Sequence, residues 1–220
     1  MSQLASRYQQ VLARIASACL ASGRNVSEVE LVVVTKNHPV ELAAALVDLG
    51  HENFGENRDQ EAKPKATQLA QLRPAANPVW HFVGQLQTNK AASVARYADL
   101  VHSVDRDSLV TALERGASKA GRSLGCLIEV DLTDGATGRG GASPVDVPRL
   151  ADLIAGSDHL DLRGVMGVAP LAEESCDPAS RTVAPSLTPR RNSRRFSVAG
   201  NASPAIIVTA RGRGSAAPML

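Results

Sequence analysis

From residue 31 onward, short apolar runs alternate with stretches of helical period, and no other feature of the chain limits its fold as much. LVVVT at 31–35 is a compact β-branched run that reads as a strand buried on both faces. Further strands are expected at 53–55, 79–83, 100–104, 126–132 and 160–168. Between them the spacing predicts helices over 40–49, 57–72, 89–97, 107–120 and 144–155. Ahead of the first strand, Leu4, Tyr8, Val11, Leu12, Ile15 and Leu20 recur every three or four residues, as on an amphipathic helix with one buried face. Six β/α units in a row predict a parallel α/β sheet, either open and doubly wound or curled into a barrel.

A closed (β/α)8 barrel needs two more units, and the composition changes before they arrive. From Pro178 to the end there are seven arginines, five prolines, no lysine and no acidic residue, and only AIIVTA at 205–210 reads as a strand. The division expected is a β/α domain over 1–171 and an Arg/Pro-rich tail over 172–220. Two readings of the tail come from its residues: a disordered basic extension, or a nucleic-acid-binding arm with Phe196 alone for base stacking. A sheet of six strands would have free ladder edges at its first and sixth strands, which predicts marginal stability.

The formal net charge of +2 gives no general pull toward nucleic acid or an anionic membrane surface. The amino end carries Arg7 and Arg14 at helical spacing and lacks the apolar core of a secretory signal. No stretch reaches membrane-spanning length. Cys19, Cys126 and Cys176 are widely spaced and odd in number, against a disulfide framework. A cytoplasmic monomer without metal is the expectation, since the five histidines also show no HxxxH or HExxH spacing.

Chemistry points to Lys36, directly after the first strand, on the face where parallel α/β folds assemble their sites. Packed among apolar strand ends, its amine would be desolvated, and a neutral amine attacks aldehydes. The bland alternative is a lysine reaching into water from a loop. In WHFV, alternation puts His81 on the face opposite Trp80 and Phe82, toward a barrel interior, where a satisfied core histidine is the competing reading. The glycine-rich loop 135–141 lacks a P-loop ending and reads as a rim loop with Arg139 as an anion contact. The remaining lysines Lys63, Lys65, Lys90 and Lys119 fall on helices or loops and are expected to be solvated.

Several segments together resemble the pyridoxal phosphate homeostasis proteins: VVVTKNHP around Lys36, NFGENRDQE at 53–61, WHFVGQLQTNK at 80–90, VHSVDR at 101–106 and LRGVMG at 162–167. They occur in the family's order over residues 1 to about 171. The resemblance implies a (β/α)8 barrel of TIM type, like the amino-terminal domain of alanine racemase, here incomplete. It also implies pyridoxal 5'-phosphate held as a Schiff base on Lys36, with Asn57 and His81 near the ring and Met166 on the adjacent barrel wall. The implied role is to carry or buffer the cofactor without robust turnover, with pyridoxal-phosphate-dependent apoenzymes as recipients. Arg58, Gln85 and His38 stand where the family commonly has an aromatic residue, a proline and a second lysine. Nothing after residue 171 matches the family's Ser-Gly-Met-Ser and Arg-Ile-Gly segments, which hold the phosphate and face the pyridine nitrogen, so weakened affinity is expected, and an out-of-frame stretch of a GC-rich coding sequence becomes a third reading of the tail. Two other functions compete. A racemase would need a second base, and Tyr8 and Tyr97 are the only tyrosines. An interaction protein would work through its basic tail, with steeply salt-dependent binding.

Overall fold

The computed structural model describes residues 3–132 and 140–168 and, for the backbone alone, 195–198 and 206–210. Helix α1 (Gln3–Ala21) leads into strand β1 (Val29–Val34), then α2 (Val40–Asp48), β2 (Asn53–Glu56), α3 (Asp59–Leu72) and β3 (Val79–Phe82). The chain continues through α4 (Ala91–Val94), β4 (Leu100–Val104), α5 (Asp107–Ala120), β5 (Leu124–Val130), α6 (Val147–Ala155) and β6 (Leu160–Gly167). Strands β1 to β6 pair in sequence order and all in parallel, forming a partial barrel of six β/α units. Among the predicted elements, the helix over 89–97 changes most. It becomes a 3-10 turn at Thr88–Lys90 followed by the single-turn α4.

Two further strands follow, β7 (Arg195–Val198) and β8 (Ile206–Ala210). The strand expected at 205–210 therefore exists, but it runs antiparallel to β1, from Val29 opposite Ala210 to Val33 opposite Ile206. Strand β7 pairs antiparallel with β8, giving the order β6-β5-β4-β3-β2-β1-β8-β7. The free ladder edge expected on the first strand is thus covered. Its N–H and C=O groups find partners on β8, which offsets the cost of leaving them open. Within this order β6 has a hydrogen-bonded neighbour on one side only. A bulge on β6 between Leu162 and Gly164 shifts its register on β5, and Gly164 takes it at φ 127°, where a side chain would be strained.

The core lies between the sheet and its helices. The outward residues of β1 to β3, Leu31, Val33, Phe54 and Trp80, pack with Leu69 of α3 and with Leu4, Tyr8, Val11, Leu12 and Ile15 of α1. A second cluster joins Val101, Cys126 and Ile128 to Leu109, Leu113, Leu150 and Ile154 of α5 and α6. Each fully buried side chain of this size stabilises by about 1.5–3 kcal/mol. With Val33 and Phe54 committed to the helices, alternation turns Val32, Val34, Gly55, His81 and His102 to the barrel side. Val32 and Val34 are buried there too, so β1 is covered on both faces as its β-branched run suggests.

Candidate functional site at the carboxyl ends of the first strands

Strand β1 ends in a turn that presents Lys36. The Thr35 N–H donates to Gly55 O at 2.9 Å, and the His38 N–H returns to Thr35 O at 3.1 Å. Between them Asn37 holds a left-handed conformation, φ 60°, which asparagine tolerates better than most residues. Its N–H donates to Glu61 Oε2 of α3 at 3.2 Å. Lys36 is exposed on this turn. It is not packed among apolar strand ends, so the desolvation expected from its position is not what the geometry provides. It lies past the last ladder pair of β1, where alternation sends Thr35 toward α3 and Lys36 toward the opposite side.

Beneath the turn lies a charged seam. Lys65 of α3 is 7% exposed, against the expectation that it is solvated, and its Nζ donates to Glu56 Oε1 at 2.6 Å and to Thr35 O at 2.7 Å. The Thr35 hydroxyl donates to the same carboxylate oxygen at 2.6 Å. A lysine can be buried here because the Glu56 carboxylate on β2, itself 1% exposed, neutralises it. Glu56 Oε2 stays buried without a hydrogen-bond partner.

On the barrel side, Val34, Gly55 and His81 are ladder neighbours across β1, β2 and β3. Lys36 and Asn57 each follow two residues beyond that row, so they sit at the rim of β1 and β2, one barrel-side layer above His81. Asn57 is partly buried and its Oδ1 has no partner. Gly84 packs against it so closely that a Cβ there would lie 2.3 Å from Asn57 O, so only glycine fits. His81 is buried, with Nε2 3.1 Å from Asn53 Oδ1 and Nδ1 2.9 Å from His102 Nε2. The amide oxygen of Asn53 only accepts, so His81 Nε2 carries a proton, and His81 Nδ1 and His102 Nε2 share the second hydrogen bond. Met166 stands apart, on β6 opposite Glu129 of β5. The Glu129 carboxyl is pushed up to about 7 by burial, with the negative charge of Asp105 adding to the effect.

The sequence reading missed Lys65, Glu56, His102, Asn53 and Glu129. For His102 a signal existed, because VHSV repeats the alternation that turned His81 inward. Arg139, Cys176 and the tail arginines Arg190, Arg191 and Arg194 lie outside the described residues. The two tyrosines are elsewhere. Tyr8 donates to His51 Nδ1 at 3.1 Å near the start of β2, since His51 Nε2 is the donor to Asn53 O. Tyr97 packs with the helix-side clusters. Among the described residues no three His, Cys, Asp or Glu side chains converge to hold a metal, and no helix is long and apolar enough to cross a membrane.

The model of the alanine racemase N-terminal domain family matches residues 12–188. The pyridoxal phosphate homeostasis protein of Mycobacterium bovis is 40% identical over 185 residues, covering 77% of this chain and 71% of its own. A crystal structure of an unknown protein from Bifidobacterium adolescentis superposes with a TM-score of 0.72 at 31% identity, covering 78% of this chain and 71% of that one. PipY from Synechococcus elongatus, solved with pyridoxal phosphate bound, superposes with a TM-score of 0.59 at 32% identity, covering 74% and 73%. Six parallel β/α units, the lysine turn at the end of the first strand, and these likenesses lead to one assignment: the chain belongs to the pyridoxal phosphate homeostasis protein family, on the alanine racemase N-terminal domain fold.

Proposed function

We propose that this chain binds pyridoxal 5'-phosphate at the rim of β1 to β3, bonded to Lys36, and serves cofactor homeostasis without catalytic turnover. The observation that carries the reading is the exposed Lys36 amine on a pinned turn, at the barrel-side end of the strands that also carry Asn57 and His81. Pyridoxal phosphate supplies an aldehyde carbon that condenses with a primary amine. The rim residues fit the aldehyde and ring of such a group. The buried Asn57 Oδ1 lacks a donor, and a ring hydroxyl or a protonated ring nitrogen is one. His81 is fixed by Asn53 and His102 in one orientation and walls the site on the barrel side. Met166 would complete the far wall.

A role without turnover is supported by the placement of both tyrosines. Tyr8 is engaged by His51 and Tyr97 lies in the helix layer, so neither stands across from Lys36 as a second base. The names of the relatives point the same way. Release to pyridoxal-phosphate-dependent apoenzymes, in the cytoplasm and from a monomer, completes the proposal.

The test is borohydride reduction of the protein mixed with pyridoxal phosphate, followed by peptide mass analysis. One reduced adduct on Lys36, absent in Lys36→Ala, is the expected outcome. Equal labelling of Lys36 and the exposed Lys63 and Lys119 would sink the reading.

A further inference from the structure

The strand-end peptide that carries Lys36 is held from behind by one helix. Lys65 Nζ bonds the Thr35 carbonyl, which is the peptide oxygen directly before Lys36. Glu61, one turn earlier on α3, accepts from the N–H of Asn37, the residue directly after it. The same Thr35 carbonyl also receives the His38 N–H that closes the turn. Lys36 is therefore bracketed by two side chains of α3, while its own side chain remains exposed. The burial of Lys65 has a cost that hydrophobic packing would avoid. Its ion pair with Glu56 is sealed, leaves Glu56 Oε2 unpartnered, and is not what a helix-to-sheet contact requires for stability. A pair of this kind fixes one conformation of the carbonyl it holds.

We propose that Lys65 and Glu61 are positioning residues for the Lys36 amine: α3 sets the rim turn through the Thr35 carbonyl and the Asn37 amide, and Glu56 serves to hold Lys65 in place. This rests on the reading that Lys36 takes pyridoxal phosphate, but half of its test does not depend on the cofactor.

Three proteins decide it: wild type, Glu61→Ala, and the double variant K65M/E56Q. The double variant removes both buried charges together, so no uncompensated charge is left to unfold the chain, and the amide oxygen introduced in place of the Glu56 carboxylate can still accept from the Thr35 hydroxyl. Glu61 is partly exposed, and its loss leaves the core untouched. Two readouts are taken without regard to activity. They are backbone amide exchange at Asn37 and His38 in the ligand-free protein, and the rate at which Lys36 is trapped by borohydride with pyridoxal phosphate. Urea unfolding serves as the control.

The expected result for K65M/E56Q is wild-type-like stability with His38 exchange about tenfold faster and Lys36 trapping about tenfold slower, the loss of one charge-assisted hydrogen bond. Glu61→Ala should speed Asn37 exchange and slow trapping by a smaller factor. If K65M/E56Q recovers wild-type exchange and trapping along with its stability, Lys65 only neutralises Glu56 and the proposal is overturned. Should the double variant not fold, wild-type exchange and trapping in Glu61→Ala would overturn it on their own. Failure of the wild type to give any Lys36 adduct would remove the cofactor reading, while the exchange results would still decide whether α3 sets the turn.

Discussion

At the rim the Lys36 amine stands in solvent, whereas one layer below, between α3 and the sheet, Lys65 is 7% exposed and bonded to two oxygens. The two lysines meet at one stretch of backbone, since Lys65 of α3 holds the carbonyl that precedes Lys36. Their surroundings assign opposite tasks. An amine that must meet an aldehyde needs access, and a buried ammonium needs a carboxylate and gives rigidity in return. Breaking the contrast from below should have the largest effect. Lys65→Ala leaves the Glu56 carboxylate buried without its countercharge, and such losses cost about 3–5 kcal/mol. Urea unfolding of Lys65→Ala against wild type checks this. A loss within about 0.5 kcal/mol would mean that water reaches the seam and that Lys65 is no anchor.

Glu129 sharpens the comparison because it is the opposite case, a largely buried acid beside another acid. Its carboxyl, with an ordinary value of 4.5, is pushed up to about 7 by burial and then by Asp105. The folded state therefore holds this proton more tightly than the unfolded chain does. The stability it contributes is fully present below the ordinary value and is lost as pH rises through about 7. With a discount for partial exposure, about 1–2 kcal/mol should disappear between the two limits. Melting curves from pH 5 to 8 should show this decline in wild type and a flatter profile in Glu129→Gln. Identical slopes would show that Glu129 is ionised throughout. Smaller still is the neutral contact at the other end of the sheet. Tyr8→Phe removes the donor to His51 and should cost about 1 kcal/mol. No loss in a thermal melt would mean that water replaces the hydroxyl.

The same contrast explains what was legible in the sequence. Lys36 could be placed because its signal is local: a β-branched run ends and a lysine follows. His81 could be turned inward because period-two alternation in WHFV assigns faces directly. Lys65 could not be placed. In DQEAKPKATQ a lysine reads as solvated, and only a carboxylate nine residues earlier, on a strand packed under the helix, reverses that. The environment that buries it is tertiary and leaves no period. The strand at 206–210 teaches a related lesson. Its apolar run identified a strand, but alternation carries neither a direction nor a partner, and its antiparallel seat on β1 is tertiary. Glu129 lies in a run read only as a strand, 126–132, where its charge was the overlooked signal.

The smallest stability effect is expected at the residue proposed to carry the chemistry. Lys36 is exposed on a turn whose hydrogen bonds are made by the backbone of Thr35 and His38, by Glu61 and by Lys65, none of which involves its own side chain. Truncating it removes a solvated stem and leaves every one of those bonds in place. Lys36→Ala should therefore unfold within about 0.5 kcal/mol of wild type, as surface substitutions do, while losing the borohydride-trapped adduct entirely. The pair of measurements separates the two roles better than either alone, because Lys65→Ala should lose stability and adduct together. A large destabilisation in Lys36→Ala would show that the amine is engaged in the ligand-free protein and that the rim and the seam are one structural unit. Urea midpoints of the two variants, taken in the same buffer without pyridoxal phosphate, decide between these outcomes.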